Sequence, residues 1–152
     1  MMTVYFPEIN KIVFEGSQTD NPLAFRYYDP AKVIGGKTME EHLRFSMAYW
    51  HTLTGAGVDM FGAASAKRPW DQFTEPLKAA KERAAAAFEF MEKMQIPFFC
   101  FHDVDIAPEG STLKETFENL DTMVELLKEL MDRTGKKLLW GTSNLFSHPR
   151  FM

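Results

Sequence analysis

A chain of 152 residues, 45% hydrophobic and 14% aromatic, has enough apolar mass to bury the core of one ordinary domain. Its formal net charge of −4, with no long run of Lys or Arg, offers no electrostatic footprint for a nucleic-acid backbone or an anionic membrane, and no apolar segment approaches the ~20 residues of a membrane helix. The lone Cys100 excludes an internal disulfide, and the opening MMTVYFPEINKIVFEG lacks the basic-then-apolar pattern of a signal peptide, so the cytoplasm is the expected compartment.

Residues 1–37 carry three prolines and three glycines among scattered aromatics, with no sustained period. This predicts a non-repetitive arm, distinct from an α/β unit over 38–152. Pro22, Leu23, Ala24, Phe25, Tyr27 and Tyr28 are too apolar for a disordered tail, so the arm is expected to pack on its own domain or on a neighbour. Thr38 and Glu41 then have the spacing of a capping box, in which a hydroxyl and a carboxylate satisfy the free amides of a first helical turn. The following RFSMAYWHTL fits helix or strand by periodicity, and its aromatics favour a strand over 47–51.

Gly55, Gly57 and Gly62 mark a loop, and Pro69 and Pro76 flank the entry into LKAAKERAAAAFEFMEKM. Its alanines favour helix, and Leu77, Ala80, Ala84, Ala87, Phe88 and Met91 follow the spacing of one face. Pro97 ends that helix and introduces FFCF, apolar at consecutive positions as in a parallel strand covered on both faces. A loop over 105–110 follows. Ser111 or Thr112 caps a second long helix to about residue 133, with Leu113, Phe117, Leu120, Val124, Leu127 and Met131 as its apolar face and Gly135 as its stop. A third strand is expected over 138–142. The alternation of strands and helices predicts parallel strands joined by right-handed crossovers, with strand ends near Trp50, His102 and Thr142 on the side where such folds place chemistry.

The stretch FFCFHDVDIAPEG runs from a buried strand straight into a histidine and two aspartates. His102 would be the last residue on one strand face, with Asp105 beyond it where the turning chain can bring it back. A carboxylate accepting from one imidazole nitrogen fixes the tautomer and leaves the other nitrogen for proton transfer, which suits a general acid/base. Two other readings stay open: a merely hydrogen-bonded histidine at a strand end, and a divalent-metal site on His102, Asp103 and Asp105. The metal reading is the weaker, because oxygen-rich sites need more carboxylates than one loop supplies.

The segments HLRFSMAYWHT, GVDMFG, RPW, FFCFHDVDIAPEG and LLWGTSNLFSHPRF, in this order, closely resemble the amino-terminal part of the D-xylose isomerase family, in its longer-arm class. The resemblance implies an enzyme that interconverts aldose and ketose sugars, xylose to xylulose and glucose to fructose, in an eight-stranded β/α barrel. It also implies two divalent cations, Mg²⁺, Mn²⁺ or Co²⁺, and a tetrameric parent enzyme. His102 then corresponds to the family's ring-opening histidine and Asp105 to its orienting carboxylate. Trp50 and Phe146 correspond to aromatic walls of the sugar pocket, Phe61 to a phenylalanine that enters an adjoining subunit's site, and Thr142 to a strand-end pocket position. His51 is expected to face away from Trp50 on an extended segment, and neither His42 nor His148 gains a role.

A complete barrel needs eight βα units and about 250 residues, whereas three strands and two long helices are expected here. The chain therefore reads as an incomplete barrel fragment, without the family's metal-binding glutamates, aspartates, histidine and lysine. It is expected to be inactive alone, to bind no specific metal, and to self-associate as a dimer or higher oligomer through its uncovered strands and faces. Alternative readings are a non-catalytic, self-associating α/β fragment and another metal-dependent barrel enzyme such as a sugar epimerase.

Overall fold

The computed structural model describes residues 3–58 and 60–145. A short hairpin, β1 (Val33–Ile34) against β2 (Lys37–Thr38), leads into α1 (Met39–His42), where the Thr38–Glu41 capping box forms as its spacing predicts. The arm is thus not wholly irregular. Its early residues lie on the outside of the first long helix, α3 (Pro76–Met94): the backbone amides of Tyr5 and Phe6 donate to the Glu89 carboxylate, and the Tyr5 hydroxyl donates to Glu82 at 2.6 Å. Ile12 is buried, its amide donating to the Lys93 carbonyl at 2.8 Å.

The central element is a three-stranded parallel sheet, β3 (Ser46–Ala48), β4 (Phe98–His102) and β5 (Lys137–Thr142), with β4 in the middle. Helix α3 connects β3 to β4, and α5 (Leu113–Thr134) connects β4 to β5. Each helix begins and ends where its sequence directs. Pro76 occupies the first turn of α3, behind a Glu75 carboxylate that accepts from the amides of Leu77 and Lys78, and Thr112 caps α5 through the amide of Glu115. Gly135, at φ 70°, closes α5 in the left-handed conformation that glycine adopts without strain.

The core fills the space between one sheet face and the two helices. Met47 and Phe99, opposite each other on β3 and β4, meet Ala84, Ala87, Phe88 and Met91 of α3 and Met123, Leu127 and Leu130 of α5. The alanines matter because they carry no bulk: they let α3 approach until the Phe88 and Phe99 rings lie 5.3 Å apart. Burying each such large apolar side chain contributes about 1.5–3 kcal/mol.

Three sequence expectations need correction. The strand expected over 47–51 ends at Ala48; Tyr49–Thr52 form a helical turn, α2, closed by the amides of Leu53 and Thr54 on the Tyr49 carbonyl. Leaving the sheet early buries Tyr49 in the core instead of extending it along the sheet. The stretch expected as a loop over 105–110 begins inside a second helical turn, α4 (Asp103–Ile106), in which the Val104 amide donates to the Asp103 carboxylate and the Asp105 amide to the His102 imidazole. Lastly, α5 follows its expected face only in part: Leu127 is buried and Leu120 and Met131 pack against the core, but Leu113, Phe117 and Val124 are exposed and Met123 and Leu130 are buried in their stead. The helix carries two adjacent apolar stripes, and periodicity cannot say which one α3 will cover.

This difference sets a test. In this chain Leu130→Ala, at a fully buried site, is expected to cost about 2–5 kcal/mol of unfolding free energy. Phe117→Ala, where the ring is 60% exposed, should change it by about 0.5 kcal/mol or less. Denaturant titration of both variants checks it; a larger loss for Phe117→Ala would place the other stripe inwards.

Candidate active site

The C-terminal ends of β3, β4 and β5 converge on one edge of the sheet, and the chain leaves each differently. After β3 it turns into α2, which carries Trp50. After β4 it turns into α4, whose N-cap is His102 and whose third residue is Asp105. After β5 it is tied back to the β4 exit, because Asp103 Oδ1 accepts from the backbone amides of both Val104 and Asn144, each at 2.9 Å.

Asp105 is the one buried charged residue among the described residues, 6% exposed, and its carboxylate is occupied on both oxygens. Oδ2 accepts from the His102 backbone amide at 2.9 Å and faces His102 Nδ1 at 3.2 Å. Oδ1 accepts from the Thr54 hydroxyl at 2.6 Å. From α3, Arg83 donates through Nη1 to the Asp105 backbone carbonyl at 3.1 Å while its other terminal nitrogen lies 3.6 Å from Asp71. The Asp105 backbone amide donates to the imidazole, as the other half of the cap on α4. The imidazole thus meets both an acceptor and a donor of Asp105; the tautomer with its proton on Nδ1 keeps the contact to Oδ2 and leaves Nε2 to exchange a proton with whatever lies above the strand ends. Nearby, burial holds the Tyr49 phenol well above its ordinary pKa; Arg83 opposes this and the Asp105 charge adds to it. Tyr49 therefore stays neutral.

His102 stands among aromatic rings. The Trp50 ring centroid is 4.7 Å from that of His102 and 5.3 Å from that of Trp140, and Trp140 lies 5.9 Å from His102. Trp140 reaches this cluster through a register shift: Phe99 pairs with Leu138, but Cys100 pairs with Trp140, so β5 carries one extra residue. Without that bulge, Trp140 would fall opposite Phe101 and turn to the helix-covered face. Gly141 falls there instead, where a Cβ would come within 2.8 Å of the Phe101 ring, so any side chain at this position would have to push that ring aside.

The structure thus brings together His102, Asp105 and Trp50, and pairs Thr142 with His102 at the end of β5. Phe61, 90% exposed on the loop after α2, presents its ring outwards. Phe146, and with it His148, lies outside the described residues. The expectation that His51 faces away from Trp50 fails with the strand it assumed: on α2 the two rings are 5.6 Å apart. His42 Nε2 sits 2.8 Å from the Ile34 carbonyl and ties α1 to the hairpin. Sequence reading missed Trp140 and Thr54. Trp140 had a signal, standing two residues before Thr142 on a strand already assigned to the site. Thr54 had none, because it meets Asp105 only through tertiary folding.

Among the described residues, no three His, Cys, Asp or Glu side chains converge as a metal site. The local chemistry agrees: Asp105 is filled by hydrogen bonds, and Asp103 Oδ1 is turned to backbone amides.

No protein-family model matches the chain. It is 56% identical over 151 residues to the xylose isomerase of Thermoanaerobacterium saccharolyticum, which covers 99% of this chain and 34% of that enzyme. It is 59% identical over 148 residues to the xylose isomerases of Geobacillus thermodenitrificans and Geobacillus stearothermophilus, covering 97% of this chain and 33% of each enzyme. The chain resembles xylose isomerases along almost all of its own length. It spans about a third of the length of these curated relatives, and the resemblance includes the strand ends just described.

Proposed function

We propose that this chain is the amino-terminal part of a xylose isomerase, the first βα units of a β/α barrel, and that it supplies the pair of groups that opens the cyclic sugar. The observation that supports this reading most is the placement of His102, with one imidazole nitrogen turned to a buried, fully hydrogen-bonded carboxylate and the ring lying beside two tryptophans at a set of parallel strand ends. In this reading Nε2 of His102 takes the proton from the anomeric hydroxyl and returns one to the ring oxygen. The C1–O5 bond breaks, and an open-chain aldehyde forms with no net change in charge. Asp105 holds the imidazole and stabilises its charged form while the proton is in transit. Trp50 and Trp140 cover the apolar C–H face of the sugar and exclude water, and Thr142 adds a polar contact at the rim.

The divalent cations implied by the family resemblance do not fit the residues described here, which offer no converging ligand set. The step that moves hydrogen between C2 and C1 is therefore assigned to other parts of the enzyme, and this segment alone should not isomerise xylose. A chimera tests the reading: the chain replaces the matching third of the Thermoanaerobacterium saccharolyticum enzyme. The chimera should convert xylose, and the isolated chain should not. His102→Asn in the chimera should slow turnover of cyclic xylose by about 10²-fold or more, as loss of a general acid/base does, and slow glyceraldehyde, too short to close such a ring, far less. Equal slowing of both substrates would remove His102 from ring opening.

A second reading concerns the isolated chain, as a self-associating α/β fragment. Among the described residues β5 pairs only with β4, and Leu138, Leu139 and Trp140 are all exposed on it. An unpaired apolar strand edge is a template for association. Sedimentation equilibrium at micromolar concentration should show a dimer or larger species; a monomer that binds no hydrophobic dye would contradict this.

A further inference from the structure

Thr54 has no place in the roles assigned so far, yet its hydroxyl makes one of the shortest side-chain contacts around the buried carboxylate. The donation to Asp105 Oδ1, at 2.6 Å, crosses 51 residues of sequence. The same hydroxyl lies 3.4 Å from the Tyr49 carbonyl, the partner it would have if it only finished α2. That carbonyl is already taken by the amides of Leu53 and Thr54 at 2.8 and 3.0 Å, so the carboxylate is the better-placed acceptor.

The backbone around Thr54 is held as well. The Trp70 indole donates to the Leu53 carbonyl at 3.4 Å. Gly55 follows, where a Cβ would meet the Trp50 carbonyl at 2.8 Å, so the chain turns tightly against α2. Thr54 is therefore a fixed donor brought to Asp105 by the same helical turn that carries Trp50.

The carboxylate needs such a donor. The torsion that sets the plane of an aspartate carboxyl is broad and roughly two-fold, so contacts at Oδ2 alone leave the plane free to rock. Oδ2 has two partners, both from His102, whereas the side-chain partner of Oδ1 is Thr54. We propose that Thr54 is a positioning residue: by fixing Oδ1 it sets the plane of Asp105, which sets the tautomer and tilt of His102. The catalytic part of this inference rests on the ring-opening reading above, but the positional part does not.

Thr54→Val keeps the shape and removes the hydroxyl, and Thr54→Ser keeps the hydroxyl. Imidazole nitrogen NMR of the 152-residue chain reads the positional part directly. His102 should be held with its proton on Nδ1 in the parent and in Thr54→Ser, and should pass to a mixture of tautomers in Thr54→Val. In the chimera, Thr54→Val should lower kcat for cyclic xylose by about 10-fold with KM little changed, and Thr54→Ser by about two-fold or less, the lower end of what groups that orient a histidine contribute. On an Asp105→Asn background the valine substitution should add nothing. Should Thr54→Val fail to fold, the contrast of Thr54→Ser with Thr54→Ala takes its place.

An unchanged His102 spectrum in Thr54→Val would overturn the proposal, as would equal losses on cyclic xylose and glyceraldehyde, the mark of a general structural role. If His102→Asn itself fails the ring-opening comparison, the catalytic reading falls, while the tautomer measurement still decides whether Thr54 positions His102.

Discussion

The arrangement at the strand ends depends on how a buried carboxylate is satisfied. An unpaired charge in a nearly water-free place costs several kcal/mol, so Asp105 can be buried only if each oxygen finds donors. It finds them on three elements: the His102 amide and imidazole at the end of β4 and the Thr54 hydroxyl beyond α2 hold its oxygens, while Arg83 of α3 holds its backbone. Those donors reach it only when β3, β4 and α3 are packed as observed. The carboxylate therefore joins the fold to the site: whatever loosens the packing loosens the imidazole, and the helical turn that Asp105 caps is the one that brings it back beneath His102.

The rest of the structure serves that junction. The alanine stretch of α3 lets the helix lie close to the sheet, which carries Arg83 within reach of the Asp105 carbonyl. The early end of β3 turns the chain so that Tyr49 enters the core and Trp50 lies beside His102. The bulge in β5 moves Trp140 to the same side and leaves Gly141 over Phe101. An aromatic cluster around His102 is thus assembled from three strand exits, none of which contains it alone.

Local chemistry was legible in the sequence, and tertiary phase was not. His102 and Asp105 are three residues apart, so one helical turn suffices to join them, and the capping signals at Thr38, Thr112 and Gly135 act within a few residues. The order of strands and long helices follows from apolar runs and breakers in the same way. The failures share a different cause. Tyr49–Thr52 have side chains that suit a strand, but burial of Tyr49 decides for a turn; α5 offers two apolar stripes, and only its neighbour selects one; the bulge in β5 exists only relative to β4. Thr54 belongs to the same class, since an isolated threonine before a glycine carries no sign of a partner 51 residues away.

If His102 opens the sugar, it must address the ring oxygen and the anomeric oxygen of the closed form. The most direct measurement is a crystal structure of the chimeric enzyme with cyclic xylose captured by a brief cold soak. The sugar ring should lie against Trp50 and Trp140, with the anomeric O1 hydroxyl donating to His102 Nε2 at roughly 2.6–3.2 Å. A sugar bound elsewhere, or bound there with Nε2 turned away from both oxygens, would contradict ring opening by His102.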